Sequence, residues 1–236
     1  MPTRTDPQLV TFNGWTFRLR PAASPNPRLF LLLHGWKGDE TSMWVFARNL
    51  PPEYAVIAPR GLHVEPTGGY TWRRISSGSW SLPSLDDLRP SADALLRFID
   101  EWSASEDLDP AKLDLAGFSQ GAALTYALAL LHPERVAGCA ALSGFLPGGS
   151  EAWLAAHARE GKRVFVAHGR QDEIIPVERA QQVVAVLEAS GVNVSYCESD
   201  GGHRVGKECL RGWSRFLAGC YNLPTRPAAP CILLFV

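Results

Sequence analysis

Strand-length apolar runs alternate with segments of helical period along most of this chain. The apolar runs cover residues 29–33, 54–58, 113–116, 136–142, 164–167 and 194–197. Helical periodicity fills residues 91–103, 120–132 and 176–190, and a fourth such segment, 206–218, follows the last run. Strands that alternate with helices pair in parallel, and they read as continuous apolar runs because helices cover both faces of the sheet. The pattern therefore predicts an α/β fold with a mostly parallel central sheet.

Two segments depart from this alternation. Residues 9–20 carry Asn13-Gly14 at their centre, a dipeptide that favours a tight antiparallel hairpin, and we expect that hairpin at the sheet edge. Residues 59–90 are rich in Gly, Pro and Ser and contain two tryptophans. Loops this long are uncommon in compact domains and are usually functional. The aromatic residues favour the rim of an active site over a plain surface excursion.

The composition suits a globular domain with a full core. Of 236 residues, 46% are hydrophobic and 20% are charged. We expect one domain over residues 1–220 and a Pro-rich tail over residues 221–236, whose apolar end has no assigned role. The net charge is −1 and there is no basic stripe, so we expect no nucleic-acid partner.

The cysteines bear on the cellular compartment. There are five, an odd number with no C-x-x-C spacing, which argues against a disulfide framework and a structural zinc site and suits a reducing compartment. The first ten residues lack the apolar region of a secretory signal, and no run of about 18 apolar residues could span a bilayer. We therefore expect a cytoplasmic protein with no membrane span and no bound metal.

A serine between two glycines stands where an apolar strand gives way to an almost entirely apolar helix. The stretch is LDLAGFSQGAALTYALALLH, with Ser119 flanked by Gly117 and Gly121. G-x-S-x-G alone is a weak signal, but a strand before it and a helix after it are what a nucleophile elbow requires. The glycines permit a sharp turn, and the helix N-terminus favours a developing negative charge. We interpret Ser119 as a nucleophile; the alternative is a plain helix N-cap.

A serine hydroxyl needs a general base, and four histidines follow Ser119. His203 lies in the Gly-rich loop SDGGHRVG after the last strand, from which its imidazole can reach across the strand ends. His168 ends a strand ahead of the acidic residues, which would reverse the usual chain order of serine, acid and histidine. The position of His132 is typical of a helix C-terminus, and that of His157 is typical of a helical surface segment. We predict His203 as the base, with His168 as the alternative.

The base in turn needs a carboxylate, and the stretch AHGRQDEIIP offers one just past the end of a strand. Asp172 stands there, where the loops of an open α/β sheet gather around its ligand crevice. Glu173 is one residue further round the same turn, and Asp200 lies in the loop of His203; either suits a solvated loop charge. We predict Asp172 as the acid that orients the histidine.

Two backbone N–H groups are expected to stabilise the oxyanion that forms when the serine attacks a carbonyl. One is the N–H of Gln120, the residue after the serine. The other comes from the loop after the third strand, where LFLLLHGWKGDE ends a strand in His34-Gly35 and presents the N–H of Trp36. His34 and Gly35 also fit a plain turn, and the two interpretations are compatible.

Four stretches, LHGWKGDE, GFSQGAAL, HGRQDEIIP and GGH, resemble the phospholipase/carboxylesterase group of α/β-hydrolases in their order and spacing. The resemblance runs over about residues 29–217. The chain departs from many members at Lys37, which lengthens the oxyanion turn. The resemblance implies an α/β-hydrolase fold with no large lid, no cofactor, a triad of Ser119, Asp172 and His203, and oxyanion donors at Trp36 and Gln120.

Together these residues predict a serine carboxylester hydrolase that acts on small or short-acyl esters through an acyl-enzyme. An acyl-protein thioesterase or lysophospholipase would use the same residues on long acyl chains, and a catalytically silent binding module is an alternative of another class. Side chains expected to wall the substrate site, each also suited to the core, are Trp36, Trp72, Trp80, Phe145 and Ile174. The sequence leaves the physiological substrate and the oligomeric state open.

Overall fold

The computed structural model describes residues 7–24, 26–48, 50–74, 82–156 and 162–221. Within these ranges the ten strands are β1 (Gln8–Phe12), β2 (Trp15–Arg20), β3 (Arg28–Leu33), β4 (Tyr54–Pro59), β5 (His63–Val64), β6 (Tyr70–Thr71), β7 (Leu113–Phe118), β8 (Val136–Leu142), β9 (Arg163–Gly169) and β10 (Asn193–Ser199). The six helices are α1 (Trp44–Ala47), α2 (Leu85–Ser105), α3 (Gln120–Leu131), α4 (Ser150–Ala156), α5 (Val177–Ala189) and α6 (Lys207–Tyr221).

Eight strands form one sheet in the spatial order β1, β2, β4, β3, β7, β8, β9, β10. From β4 across to β10 all neighbours pair in parallel, as the alternation of strands and helices predicts. β1 and β2 pair antiparallel at one edge, and β2 also runs antiparallel to β4. Asn13 and Gly14 both take positive φ, 45° and 82°, which a two-residue hairpin turn of this kind requires. The predicted edge hairpin is confirmed.

Both faces of the sheet are buried, which explains why its central strands read as unbroken apolar runs. Alternate residues of β3 pack into the cores on opposite faces of the sheet. Leu29 and Leu31 belong to the core that contains residues of α2, α3 and α5, whereas Phe30 and Leu32 belong to the core formed with α1 and α6. Helices therefore cover the sheet on both sides, as a parallel sheet requires.

The helix predicted from residue 91 begins earlier, at Leu85. Ser84 and Asp87 form a capping box in which the Asp87 N–H donates to Ser84 Oγ at 3.1 Å and the Ser84 N–H donates to Asp87 Oδ2 at 2.8 Å. These bonds satisfy backbone donors that would otherwise be orphaned at the helix start. The helix then continues through Pro90. The other predicted helices and strands agree with the structure to within a few residues at each end.

Residues 59–90 are not one long loop, which corrects the expectation from their composition. The short strands β5 and β6 pair antiparallel within this segment, and α2 begins before its end. Tyr70 also bridges to Gly38, with the Tyr70 N–H donating to the Gly38 carbonyl at 2.9 Å. The small hairpin therefore braces the turn that follows β3.

Cys197 and Cys209 form a disulfide, so the expectation drawn from the cysteine count was wrong. Cys197 lies on β10 and Cys209 lies on α6, which packs against that strand. The pairing depends on how the strand and the helix pack against each other. An odd number of cysteines without C-x-x-C spacing therefore does not exclude a single disulfide. The chain between the two cysteines carries His203 across the end of the sheet. The disulfide removes the cysteine argument for a reducing compartment.

Within the described part of the chain, none of the helices combines the length and apolar character needed to cross a bilayer. α6 ends at Tyr221, so the predicted Pro-rich tail beyond it lies outside the described residues. The division into one domain and a tail stays a prediction.

Candidate active site

The G-x-S-x-G motif forms a sharp turn between β7 and α3. Ser119 has φ 54° and ψ −115°, a conformation that residues with a side chain rarely adopt. A Cβ atom on Gly117 would collide with the Gly121 carbonyl oxygen, and one on Gly121 would collide with the Leu33 carbonyl oxygen. Close backbone packing therefore requires both glycines. The turn holds Ser119 at the carboxyl end of β7.

The side chain of Ser119 does not cap α3, because its Oγ makes no capping hydrogen bond. The Ser119 N–H donates instead to the Leu142 carbonyl at 2.9 Å, which ties the turn to β8. Ser119 is partly exposed and lines a cavity that His203 also lines. A plain N-cap therefore does not account for this serine.

Asp172 and His203 are in hydrogen-bonding contact at the carboxyl ends of β9 and β10. His203 Nδ1 lies 2.7 Å from Asp172 Oδ2. Because an ionised carboxylate only accepts, Nδ1 carries the proton and Nε2 is left as an acceptor. The other Asp172 oxygen accepts the N–H groups of Ile174 and Ile175, each at 2.9 Å. The Asp172 side chain is fully buried and that of His203 is 16% exposed, so only the imidazole of this pair opens to the cavity.

His168, the alternative base, is fully buried beside Asp172. Its Nε2 donates to the Ile175 carbonyl at 2.8 Å and lies 3.3 Å from Asp172 Oδ2. Among the described residues nothing bonds to its Nδ1. His168 therefore contacts the carboxylate and not the cavity, a position that sequence reasoning missed. Its place on β9, four residues before Asp172, could have suggested this contact.

The other titratable residues considered from the sequence, so far as the structure describes them, do not line the cavity at Ser119. Glu173 is exposed, and Asp200 is exposed and accepts a hydrogen bond from Arg170 at 2.9 Å. His132 bonds to a carboxylate on α2, and His157 lies outside the described residues. In the described ranges no group of three or more His, Cys, Asp or Glu side chains is arranged to hold a metal ion.

Trp36 and Gln120 both line the cavity at the candidate nucleophile. Neither N–H group donates a hydrogen bond to another described residue. Lys37 takes a φ of 62°, and the Gly38 N–H donates to the Gly35 carbonyl at 3.0 Å, which closes the lengthened turn. Both amides are therefore available as donors to a bound ligand.

His34 supports this turn from within the protein. Its Nδ1 donates to the Gly35 carbonyl at 2.7 Å, and its Nε2 accepts the Gly61 N–H at 2.8 Å. Burial lowers the pKa of His34, against the opposing effect of the Gly35 hydrogen bond. The neutral imidazole, with one donor and one acceptor, suits both partners. His34 thus has a structural role at the turn.

The side chain of Gln120 fastens the chain after β6 to the elbow. Its Oε1 accepts the Trp72 N–H at 3.1 Å, and its Nε2 donates to the Thr71 hydroxyl oxygen at 2.9 Å. The Trp72 indole is fully buried, and its Nε1 donates to the His34 carbonyl at 2.8 Å. Trp72 therefore lies beneath the site and does not wall it, which corrects the expectation for this residue.

A cavity of about 160 Å³, which we call the inner cavity, opens at Ser119. Three of the expected wall residues, Trp36, Phe145 and Ile174, line it. Trp80 lies outside the described residues. Sequence reasoning missed three further wall residues, which are Phe118, Pro83 and Arg73. Phe118 could have been inferred from its place beside the nucleophile.

A second depression of about 520 Å³, which we call the outer groove, borders the inner cavity at His203. It shares Trp36, Phe118 and His203 with the inner cavity, but neither Ser119 nor Gln120 lines it. Its apolar wall comes from Met43, Val45, Phe46, Val205 and Leu210. The site is therefore a cleft with two parts: the small inner cavity at Ser119 and the larger, apolar outer groove, with His203 lining both.

A comparison with models of protein families identifies the family of the chain. The family model described as Phospholipase/Carboxylesterase matches residues 16–221. The chain belongs to the phospholipase/carboxylesterase family of α/β-hydrolases. The predicted fold class is confirmed: the sheet is mainly parallel with helices on both faces, its structural relatives share this fold, and the described residues include no large lid.

Relatives of this hydrolase carry several descriptions. Acyl-protein thioesterase 1 of Kluyveromyces lactis is 30% identical to it, over 68% of this chain and 76% of that protein. A probable inactive carboxylesterase of Oryza sativa subsp. japonica is 27% identical, over 75% and 79% of the two chains. The solved structure of a carboxylesterase from Mesorhizobium loti is 25% identical with a TM-score of 0.73, over 90% and 99%. Family membership therefore supports a hydrolase but leaves the substrate open.

Proposed function

We propose that this chain is a serine carboxylester hydrolase that cleaves small or short-acyl esters through an acyl-enzyme. The observation that carries the proposal is Ser119, which shares a cavity with an imidazole that is bonded to the buried Asp172 at 2.7 Å. A hydroxyl with a histidine base and an orienting carboxylate is the arrangement that activates serine for attack. Membership of the family supports this chemistry.

In the acylation step, Ser119 Oγ attacks the ester carbonyl carbon while its proton passes to His203 Nε2. Negative charge moves to the carbonyl oxygen, where the N–H groups of Trp36 and Gln120 stabilise it. The imidazolium that forms keeps its Nδ1–H on Asp172, and burial of that carboxylate strengthens the charge pair. The tetrahedral intermediate then collapses, the bond to the alcohol oxygen breaks, and His203 gives the proton to the departing alcohol.

In the deacylation step, a water molecule takes the place of the alcohol. His203 Nε2 removes a proton from the water as its oxygen attacks the acyl carbon, and the same two N–H groups stabilise the second oxyanion. Collapse breaks the bond to Ser119 Oγ, which recovers its proton from His203. The carboxylic acid leaves and the enzyme returns to its starting state.

The acyl group fits best in the inner cavity. It becomes bonded to Ser119, and Ser119 lines the inner cavity but not the outer groove. The leaving alcohol must lie near His203, which lines both, so the outer groove can take the alcohol portion. At about 160 Å³ the inner cavity is smaller than a typical ligand pocket of roughly 300 to 1,000 Å³. Short acyl groups therefore suit it.

A series of p-nitrophenyl esters from acetate to palmitate tests this assignment. We expect kcat/KM to peak at about two to six acyl carbons, because each CH₂ buried contributes about 0.8 kcal/mol until the cavity is full. Phe145→Ala should enlarge the inner cavity and move the peak to longer chains. Val45→Ala, which alters the outer groove only, should leave the peak in place. A kcat/KM that keeps rising to palmitate would contradict the short-acyl proposal.

The second candidate is a thioesterase or lysophospholipase, and the outer groove is the observation that favours it. Its apolar wall is open to solvent, with Trp36 41% and Val45 66% exposed. A long acyl chain lying there would cover this surface. In that case Val45→Ala, and not Phe145→Ala, would change the chain-length profile, and palmitoyl thioesters would be cleaved faster than short esters.

A silent binding module is the remaining alternative, and the relative described as a probable inactive carboxylesterase is the reason to test it. A fluorophosphonate probe bonds covalently only to an activated serine. Labelling of Ser119 at the rate of an active serine hydrolase would exclude the silent module.

Trp36 should show separate roles for its backbone and its side chain. Trp36→Ala keeps the N–H, so turnover of a small acetate ester should stay within about tenfold while KM and acyl preference change. Trp36→Pro removes the N–H donor, and loss of one such bond typically lowers kcat by about 10² to 10³-fold. Steady-state kinetics of both variants on p-nitrophenyl acetate measures the difference.

Proline also fixes φ and can disturb the turn, so circular dichroism and fluorophosphonate labelling must first show a folded Trp36→Pro variant with an accessible serine. If that variant then hydrolyses acetate as fast as Trp36→Ala, Trp36 is not an oxyanion donor. The N–H groups of Lys37 or Gly38, next along the lengthened turn, would be tested in its place.

A further inference from the structure

We propose that Phe118 is a positioning residue, which holds the His203 imidazole at the boundary between the inner cavity and the outer groove so that it can protonate the departing alcohol. The inference rests on the proposed esterase function and concerns one step of it. It starts from an aromatic side chain that directly precedes the nucleophile in the chain and contacts the ring of the base.

The His203 imidazole is held at few points. Within the described part of the chain its ring makes one hydrogen bond, from Nδ1 to Asp172 Oδ2 at 2.7 Å, and one aromatic contact, with Phe118. A single hydrogen bond fixes Nδ1 but leaves the ring able to tilt about that bond. Such a tilt moves Nε2, the atom that must meet Ser119 and the alcohol, and a misplacement of about 1 Å can cost about 100-fold in rate. A second contact is therefore needed to aim Nε2.

The phenyl ring of Phe118 provides this second contact. The centroids of the Phe118 and His203 rings lie 4.9 Å apart, with an angle of 55° between the ring planes. This distance is within the range of roughly 4.5 to 7 Å over which aromatic pairs attract each other. Because the two rings already touch, the phenyl ring blocks movement of the imidazole in its direction.

Phe118 is itself firmly placed. It is the last residue of β7, where it lies opposite Leu142 of β8. A Cβ atom at Gly35 would come within 3.2 Å of Phe118 Cδ1 and within 3.3 Å of the Phe118 carbonyl oxygen, so Phe118 packs directly on the backbone of the oxyanion turn. Its side chain also packs against the core formed with α1 and α6. The phenyl ring therefore links the position of the imidazole to the sheet and to the oxyanion turn.

Phe118 lines both parts of the cleft, as His203 does. The acyl carbon is bonded to Ser119 on the inner side, and the alcohol departs on the outer side. As the bond between the acyl carbon and the alcohol oxygen breaks and the carbonyl re-forms, the proton on Nε2 passes to that oxygen. An alkyl alcohol needs this proton, whereas a group that departs as a stable anion does not. The effect of Phe118 on the rate should therefore depend on the leaving group.

The test compares p-nitrophenyl butyrate with p-nitrobenzyl butyrate, with hydrolysis followed by titration at constant neutral pH. The two esters share the acyl group and the nitroaromatic ring and differ by one CH₂, but only the benzyl ester releases an alkoxide that must be protonated. We expect Phe118→Leu to lower kcat/KM about 100-fold for the benzyl ester and at most about tenfold for the phenyl ester. Phe118→Tyr, which keeps the aromatic ring, should retain the wild-type ratio of the two values within about threefold.

Phe165→Leu is the matched control. Phe165 lies on β9, belongs to the core against which Phe118 packs, contacts the Phe216 ring at 5.7 Å, and lines neither the inner cavity nor the outer groove. This variant should lose thermal stability and keep the wild-type ratio. If Phe118→Leu behaves in the same way, Phe118 acts only through packing and the proposal is overturned. Phe118→Met takes the place of Phe118→Leu if circular dichroism shows the leucine variant unfolded.

The rate of fluorophosphonate labelling adds a second readout. Fluoride leaves as an anion, so labelling of Phe118→Leu should slow no more than hydrolysis of the phenyl ester does. Labelling that slows as much as hydrolysis of the benzyl ester would place the defect in the attack by Ser119 and overturn the assignment to the alcohol step.

Failure of this inference is distinguishable from failure of the proposed function. If Phe118→Leu lowers kcat/KM equally for both esters, Phe118 is only a wall residue; the inference is overturned and the esterase function stays in place. If the wild-type enzyme hydrolyses neither ester and fluorophosphonate does not label Ser119, the proposed function fails, and this inference fails with it.

Discussion

Ser119→Ala is expected to remain folded and to lose nearly all ester hydrolysis. Serine and alanine share the same Cβ atom, so the cost of the backbone conformation at φ 54° is unchanged, and no capping bond is lost because Ser119 Oγ makes none. Removing a triad nucleophile typically lowers turnover by on the order of 10⁴-fold or more, and the oxyanion donors alone provide what remains. Turnover of p-nitrophenyl acetate and fluorophosphonate labelling measure the loss.

Ser143→Ala is the matched control for this prediction. Ser143 follows β8, is fully buried and also has positive φ, at 46°, and its Oγ has no partner among the described residues. The same chemical change there should leave activity and labelling close to wild type. A Ser119→Ala enzyme that kept a tenth of wild-type turnover, or a Ser143→Ala enzyme that lost as much as Ser119→Ala, would contradict the assignment of the nucleophile.

The sheet could be predicted from the sequence because strands that are buried on both faces consist almost entirely of apolar residues. On β3 every position from Leu29 to Leu33 is buried, by one core or by the other, so the strand has no polar alternation and reads as one run. The elbow is similarly local: Gly117 and Gly121 are required by contacts within a few residues of the serine and with the adjacent strand. Features of this kind can be read from short stretches.

Features that depend on distant packing were not predictable in the same way. Trp72 was expected in a wall because it stands in a Gly-rich segment, but its N–H and indole are bonded to Gln120 and His34, far away in the chain. The disulfide between Cys197 and Cys209 depends on the packing of α6 on β10. No local pattern encodes either contact, and both arise only when the sheet brings the segments together.

The inner cavity and the outer groove differ in how firmly hydrogen bonds fix their shape. The inner cavity is built on Ser119, Gln120 and the segment that Gln120 holds, so its shape is coupled to the elbow through hydrogen bonds. The outer groove is lined mostly by apolar side chains such as Met43 and Leu210, which belong to or pack against the second core, formed with α1 and α6, without directional bonds. We therefore expect substitutions in the inner cavity to change turnover and specificity together, and those in the outer groove to change mainly KM.

His203→Ala should be about as inactive as Ser119→Ala, whereas His168→Ala should keep much more activity. His203 is open to the cavity and has Nε2 as an acceptor, while His168 is fully buried and contacts Asp172 and the Ile175 carbonyl. Loss of a base without which the serine is not activated costs on the order of 10⁴-fold in turnover. Loss of the hydrogen bond from His168 to the Ile175 carbonyl, and of the 3.3 Å contact with Asp172, should cost at most about 100-fold in turnover and should lower thermal stability.

The pH dependence separates the two histidines further. With His203 as the general base, the pH profile of kcat/KM should keep its wild-type shape in the weakened His168→Ala enzyme. His168→Gln, which keeps an N–H donor near Asp172, should recover part of the activity that His168→Ala loses. Circular dichroism and thermal unfolding must show each variant folded at the assay temperature. If His168→Ala were inactive and His203→Ala kept a tenth of wild-type turnover, the base would be His168, and the bond of 2.7 Å between His203 and Asp172 would have only a structural role.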